Sequence, residues 1–326
     1  MKHRARRIEQ NLLDYFLQPD QVGPHLQVAD VLLRENKDPK EVFAHMIRLA
    51  TDSKWSHSAL LYLISDPHRG FNNTFLVEAK TKGIHLASWR TEVLPFNEFT
   101  VGIKRPDVSW YVENPYEISR HSEHDPEDTH AIGYLRHVRG IAIDQITGLY
   151  DHKTVYELAG LYTERAARKH LSALPQIADA AEAVAHFFKK WDEKDSESEA
   201  VLNFICSGLV QYSFFEALRR RIINDLAIPE HRQAGLSNLS NLQRVIFRDD
   251  PEGLVARYIQ QVQVGELDIS QPVPEDVLDL LKTATPADFN NSPYLQWRYV
   301  ILKGAVWRIE IAAEDYVASD PDELES

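Results

Sequence analysis

The chain has 326 residues and a formal net charge of −13, from 36 basic and 49 acidic side chains. That acidic balance argues against general nucleic-acid binding, which needs a basic face to neutralise phosphates. Apolar residues make up 44%, enough for a large core, and no apolar run reaches the length of a membrane span.

The start, Met1 to Arg7, is basic, but no continuous apolar region follows it, so no secretory signal is read. Ile8, Leu12, Tyr15 and Phe16 predict a short first helix, its basic lead either solvated or against anionic lipid. Val28 to Leu33 predicts a strand, and Pro39 to Thr51 a helix with Val42, Phe43, Met46, Ile47 and Ala50 on one side. Lys54 to Ile64 predicts a second strand, Phe75 to Ala79 its returning partner, and Phe99, Val101 and Ile103 a third, together an antiparallel meander. Arg120 to His130 reads as a polar loop and Ala131 to Ile143 as a helix. Gly148-Leu149-Tyr150-Asp151 reads as a turn, with two helical stretches after it around Val155–Arg168 and Ile177–Lys190. A charged linker from Asp192 to Glu199 leads into the segment that holds the sole cysteine.

In that segment Leu209, Val210, Phe214, Ala217, Leu218 and Ile222 recur at helical spacing. Cys206 falls in its first turn, where the positive end of the helix dipole favours a thiolate over a thiol. A thiolate there, beside a backbone N–H that can hold an oxyanion, meets the needs of a cysteine nucleophile. The alternative is a buried cysteine acting as a small hydrophobe. A lone cysteine excludes an intrachain disulfide and suits a reducing, cytoplasmic setting. Beyond this helix, Pro229 to Asp250 reads as irregular, Leu254–Val262 as a helix, and Pro274 as the opening of another. Leu295–Leu302 and Ala305–Ile311 read as a closing hairpin. Strands, then helices, then strands imply one α+β domain over residues 1–318, with insertions at about 155–199 and 229–272 and a disordered acidic tail at 319–326.

A cysteine nucleophile needs a base and a group that orients the base. His57 stands out among 14 histidines because it opens an apolar strand between two serines. If Ile64 pairs with Phe71, antiparallel register sets Glu78 opposite His57, with its carboxylate in reach of Nδ1. The alternatives are a half-buried histidine and an edge glutamate with no shared role. His121, His124 and His130 with Asp125, Glu127 and Asp128 match no regular metal spacing, so no metal or other cofactor is expected.

Phe204-Ile205-Cys206-Ser207-Gly208-Leu209-Val210-Gln211-Tyr212 resembles the nucleophile motif of NlpC-type peptidases, which have a papain-like fold. Here the order is rotated, with Ser56-His57 and Glu78 ahead of Gly148-Leu149-Tyr150-Asp151 and Cys206. That order resembles the permuted, YiiX/YebB-like branch of the superfamily. Asp30-Val31-Leu32-Leu33, Thr51 to Ala59, Val77-Glu78-Ala79 and Thr285-Pro286-Ala287-Asp288-Phe289 with Ser292-Pro293 are similar to further segments of that branch. The resemblance implies a circularly permuted papain-like fold, an antiparallel sheet packed on helices with the nucleophile at a helix N-terminus. It also implies Cys206 as nucleophile, His57 as general acid/base and Glu78 as the residue that orients it. The Cys206 N–H and Tyr150 would stabilise the oxyanion, and Ser207 and Trp55 would flank the substrate. The implied activity is a cysteine hydrolase that cleaves a peptide, isopeptide or small amide through an acyl-enzyme. The alternative is a lipid acyltransferase or lipid hydrolase with the same Cys–His pair.

Overall fold

Alternation of apolar and polar residues builds an eight-stranded antiparallel sheet. The computed structural model describes residues 4–8, 26–36, 51–63, 74–80, 83–93, 99–120, 130–146, 205–302 and 305–310, with positions 44, 47 and 48. The strands are β1 (Arg4–Ile8), β2 (Val31–Asn36), β3 (His57–Leu63), β4 (Phe75–Lys80), β5 (Gly83–Ser88), β6 (Phe99–Pro106), β7 (Leu295–Leu302) and β8 (Ala305–Glu310). Their order across the sheet is β1-β8-β7-β6-β2-β3-β4-β5. The meander holds from β2 to β5, but β6 crosses back to pair with the other side of β2. The hairpin β7–β8 then extends the sheet from β6.

The first helix was expected to include Ile8, but Arg4–Ile8 is a strand paired with β8 at the sheet edge, and Leu12, Tyr15 and Phe16 lie outside the described residues. Charged residues are common on edge strands, where they discourage further pairing. β5 was not anticipated at all. Its alternation is blurred, since Leu86 points outward and Ile84 and Ala87 point inward. The expected helix over 39–51 is helical at each described position from 44 onward.

The helices with bounds among the described residues are α1 (Trp89–Glu92), α2 (Pro115–Ser119), α3 (Ile132–Asp144), α4 (Cys206–Ala227), α5 (Arg232–Ser240), α6 (Leu254–Gln263), α7 (Glu275–Lys282) and α8 (Pro286–Asn291). One sheet face, with Leu32, Ala59, Leu61, Leu76, Val101 and Ile103, forms a smaller core with Trp89 and Val93. The other face, with Val31, Leu33, Leu60, Val77 and Ala79, joins the main core made by the helices. The centre of that core is α4, which packs against α3, α5 and α7 and against β3 and β4. Its residues from Cys206 to Leu218 are all buried, so it is enclosed rather than amphipathic in the usual sense.

Gly208 sets the approach of α4 to α7. A Cβ there would lie 2.2 Å from the Lys282 carbonyl oxygen, so only glycine admits this contact. Residues 229–250 are ordered, contrary to the irregular segment expected. They form a 3-10 turn at Pro229–His231, then α5, then a second 3-10 turn at Leu242–Val245. The stabilising contact is tertiary: Asn238 accepts from Val112 N–H at 2.9 Å and donates to Val112 C=O at 2.8 Å. Hydropathy carries no sign of such a pair. Val245, Ile246, Phe247, Val255 and Tyr258 lie in the main core, which makes 229–272 continuous with it. The result is one mixed α+β arrangement. The turn at 148–151, the segment 155–199 and the tail at 319–326 lie outside the described residues. No described helix is long and apolar enough to cross a membrane.

Candidate active site

The β3–β4 ladder is paired from Phe75 down to the Leu60–Val77 step. Leu61 N–H donates to Asp30 C=O on the β2 side. Alternation therefore turns Ser58 N–H toward the β4 side, where no ladder partner meets it. The N-terminus of α4 fills this position, and the Ser58 N–H is among the groups that lower the Cys206 thiol pKa. Ile205, the N-cap residue of α4, supplies no side-chain acceptor. The first N–H groups of the helix are thus left for an anion beside Cys206.

His57 opens β3, opposite Arg34 of β2. Continuing the β3–β4 register puts Glu78 opposite Ala59 and Lys80 opposite His57. The expected register was two residues away. A shift of two keeps the face, so Glu78 still reaches His57, diagonally rather than straight across. At Leu63–Phe75 the pairing is three residues from the expected register, and the bulge between Leu61 and Leu63 brings the offset down to two, which restores the face. The contact is His57 Nε2 to Glu78 Oε2 at 2.7 Å, not the Nδ1 contact expected. With Nε2 engaged, Nδ1 is the nitrogen left for Cys206, whose charge raises the imidazole pKa.

Electrostatics couples the three groups. Burial would push the Cys206 thiol up. The His57 imidazolium outweighs it, with help from Ser58 N–H and the Ser207 hydroxyl, and brings the thiol down to about 7. Burial would pull His57 down. Cys206 and then Glu78 outweigh it and raise the imidazole to about 9. Glu78 is 1% exposed. Burial would raise its pKa, yet His57 and then Lys80 hold it far below the ordinary carboxylate range. With the thiol below the imidazole, the thiolate–imidazolium pair is the favoured form between those two values.

A ring of charges backs Glu78 on the same sheet face. Lys80 Nζ lies 2.6 Å from Glu78 Oε1 and 2.9 Å from Glu92 Oε2, and Arg34 pairs with Glu92 at 2.5 Å. His85, opposite Glu78 on β5, brings Nε2 within 3.2 Å of Oε1. Sequence reasoning passed over Lys80, Arg34 and Glu92. The signal for Lys80 was present, since positions 78 and 80 share a strand face.

The other expected site residues part ways. Ser207 is buried beside Cys206, its hydroxyl 3.7 Å from the sulfur. Trp55 is 1% exposed and does not line an open surface. Its indole donates to Asn290 Oδ1 at 2.9 Å and packs on Trp297. Trp55 therefore ties the entry to β3 to α8 from behind. Lys104 completes that support. Its ammonium donates to the Phe289 and Asn290 carbonyls at 2.7 and 2.8 Å, and burial lowers its pKa to about 7. The Thr285–Asp288 capping box starts α8, with reciprocal side-chain-to-backbone bonds. Tyr150 lies outside the described residues. No group of three or more potential metal ligands occurs among the described residues. His130 faces Glu113 at 3.1 Å, while His121, His124, Asp125, Glu127 and Asp128 lie outside the described residues.

No family model matches the chain, and no curated protein matches it.

Proposed function

We propose that the chain is a cysteine hydrolase of the permuted papain-like kind, cleaving an amide bond through an acyl-enzyme. The observation that carries this reading is the order Cys206–His57–Glu78, with the Glu78 carboxylate 2.7 Å from His57 Nε2 and the thiol drawn down to about 7. A structural cysteine in an apolar core has the opposite bias, since burial alone raises a thiol pKa. Trp55 and Asn290 add weight. They join two of the segments whose sequence resembles that family, although 235 positions separate them.

In the reaction, the Cys206 thiolate attacks the carbonyl carbon, forming the C–S bond. The carbonyl oxygen takes the negative charge, facing the Cys206 N–H at the uncapped helix start. As the C–N bond breaks, the His57 imidazolium gives its Nδ1 proton to the leaving amine. His57, now neutral, takes a proton from water as the water attacks the acyl carbon. The C–S bond then breaks, the acid departs, and thiolate and imidazolium are restored. Glu78 holds His57 with N–H at Nε2 throughout and stabilises the imidazolium without touching substrate.

The test is to expose the protein to amide, ester and lipid-acyl probes and weigh the adduct. An acyl group on Cys206 that water releases supports hydrolysis of that class. An acyl group released only to a second acceptor supports the acyltransferase alternative. No adduct with any probe, under conditions where free cysteine does react, rejects both.

A further inference from the structure

Glu78 is more than a partner for His57, because its second oxygen is engaged by a different set of groups. Lys80 Nζ sits 2.6 Å from Oε1 and, from the other side, 2.9 Å from Glu92 Oε2. Glu92 is itself held by Arg34, which pairs across the ladder with His57. The charges therefore alternate: imidazolium, carboxylate, ammonium, carboxylate, guanidinium. An isolated ionised carboxylate that is 1% exposed is costly, and it would either take up a proton or turn toward water.

We propose that Lys80 is a positioning residue for the His57–Cys206 pair, acting through Glu78. This rests on the cysteine-hydrolase reading above. Lys80 fixes Oε1, so that Oε2 stays aimed at His57 Nε2 and the imidazole keeps Nδ1 toward Cys206. Its charge also lies close enough to set where the pair titrates. A fixed cation favours every deprotonated form near it, so it lowers both the pH at which the thiolate forms and the pH at which the imidazolium is lost. The groups that face Glu78 are His57 from β3, Lys80 from its own strand and His85 from β5, with Glu92 of α1 and Arg34 of β2 beyond Lys80. Among them Lys80 is the cation that touches both carboxylates, and His85 is the more exposed neighbour at 42%. An Arg at position 80 can reproduce both contacts. A neutral side chain reproduces neither charge.

The experiment is the rate of Cys206 alkylation by iodoacetamide against pH, for the wild type, Lys80→Met and Lys80→Arg, with thermal unfolding as a control. Lys80→Met is expected to move the thiolate limb upward by about half a unit to one unit, the size expected of one partly screened charge. Lys80→Arg is expected to keep the wild-type curve. If Lys80→Met fails to fold, Lys80→Gln gives the same comparison with a polar neutral side chain. An unmoved curve in the folded neutral variant overturns the role of Lys80, provided that the wild type shows an activated thiol. A wild-type curve like that of free cysteine overturns the hydrolase reading instead, so the two failures are distinct. Equal shifts in the Met and Arg variants also overturn the proposal, since they would mark a packing role in which charge is irrelevant.

Discussion

Glu78 Oε2 accepts from His57 Nε2 at 2.7 Å, and this single contact decides which nitrogen of the imidazole serves Cys206. An anionic oxygen demands an N–H opposite, so Nε2 carries the proton and Nδ1 is the nitrogen left for the sulfur. Glu78→Gln removes the charge and can present its amide N–H to Nε2, which favours the wrong tautomer. We expect kcat to fall by roughly tenfold to a hundredfold, with little change in KM, because the loss lies in the transition state. Steady-state kinetics on whichever probe turns over checks this. Unchanged constants would remove Glu78 from the site.

The same carboxylate makes the protein sensitive to acid. Its folded pKa lies below the unfolded value of 4.5, so the unfolded chain binds the extra proton as pH falls. The stability it contributes is therefore complete above about 4.5 and is lost progressively below it. Denaturant unfolding at several pH values should show a shallower acid loss in Glu78→Gln than in the wild type. Equal slopes would mean that Glu78 does not carry this linkage.

The pH dependence of turnover should be bell-shaped. The rising limb reports thiolate formation near 7, and the falling limb reports loss of the imidazolium near 9. Both limbs belong to the pair rather than to either residue. A rate that climbs without a fall through pH 9 would show that the imidazolium is not needed.

Gly208→Ala should destabilise the fold by about 1–3 kcal/mol, the cost typical of overpacking. The new methyl meets backbone, the carbonyl of Lys282 at 2.2 Å, which cannot rotate away. Because the clash is two residues from Cys206, activity should fall together with the unfolding midpoint. An unchanged midpoint would mean that α4 and α7 separate at no cost.

The strands β3, β4 and β6 and the helix α4 were legible because their apolar spacing is regular and their contacts follow it. The pairing of His57 with Glu78 was legible for a different reason. Strand period fixes the face, and a register error of two residues leaves the face intact. The nitrogen involved was not legible, since it depends on a diagonal approach that the Leu61–Leu63 bulge helps to set. Trp55, expected at the substrate because an aromatic beside the candidate histidine looks functional in one dimension, is buried at 1% exposure. Its partner Asn290 lies near the other end of the chain. Arg4–Ile8 and Arg232–Ser240 escaped for a shared reason. One is held by strand pairing and the other by the Asn238–Val112 bonds, neither of which leaves an apolar period.

If His57 activates Cys206, the pH dependence of Cys206 alkylation must differ between the wild type and His57→Ala. The wild-type thiol is expected to titrate near 7 and the His57→Ala thiol above that, toward or beyond the ordinary value of 9.0, because burial is then opposed by fewer groups. Identical curves for the two proteins, or a wild-type curve already at the ordinary value, would contradict it.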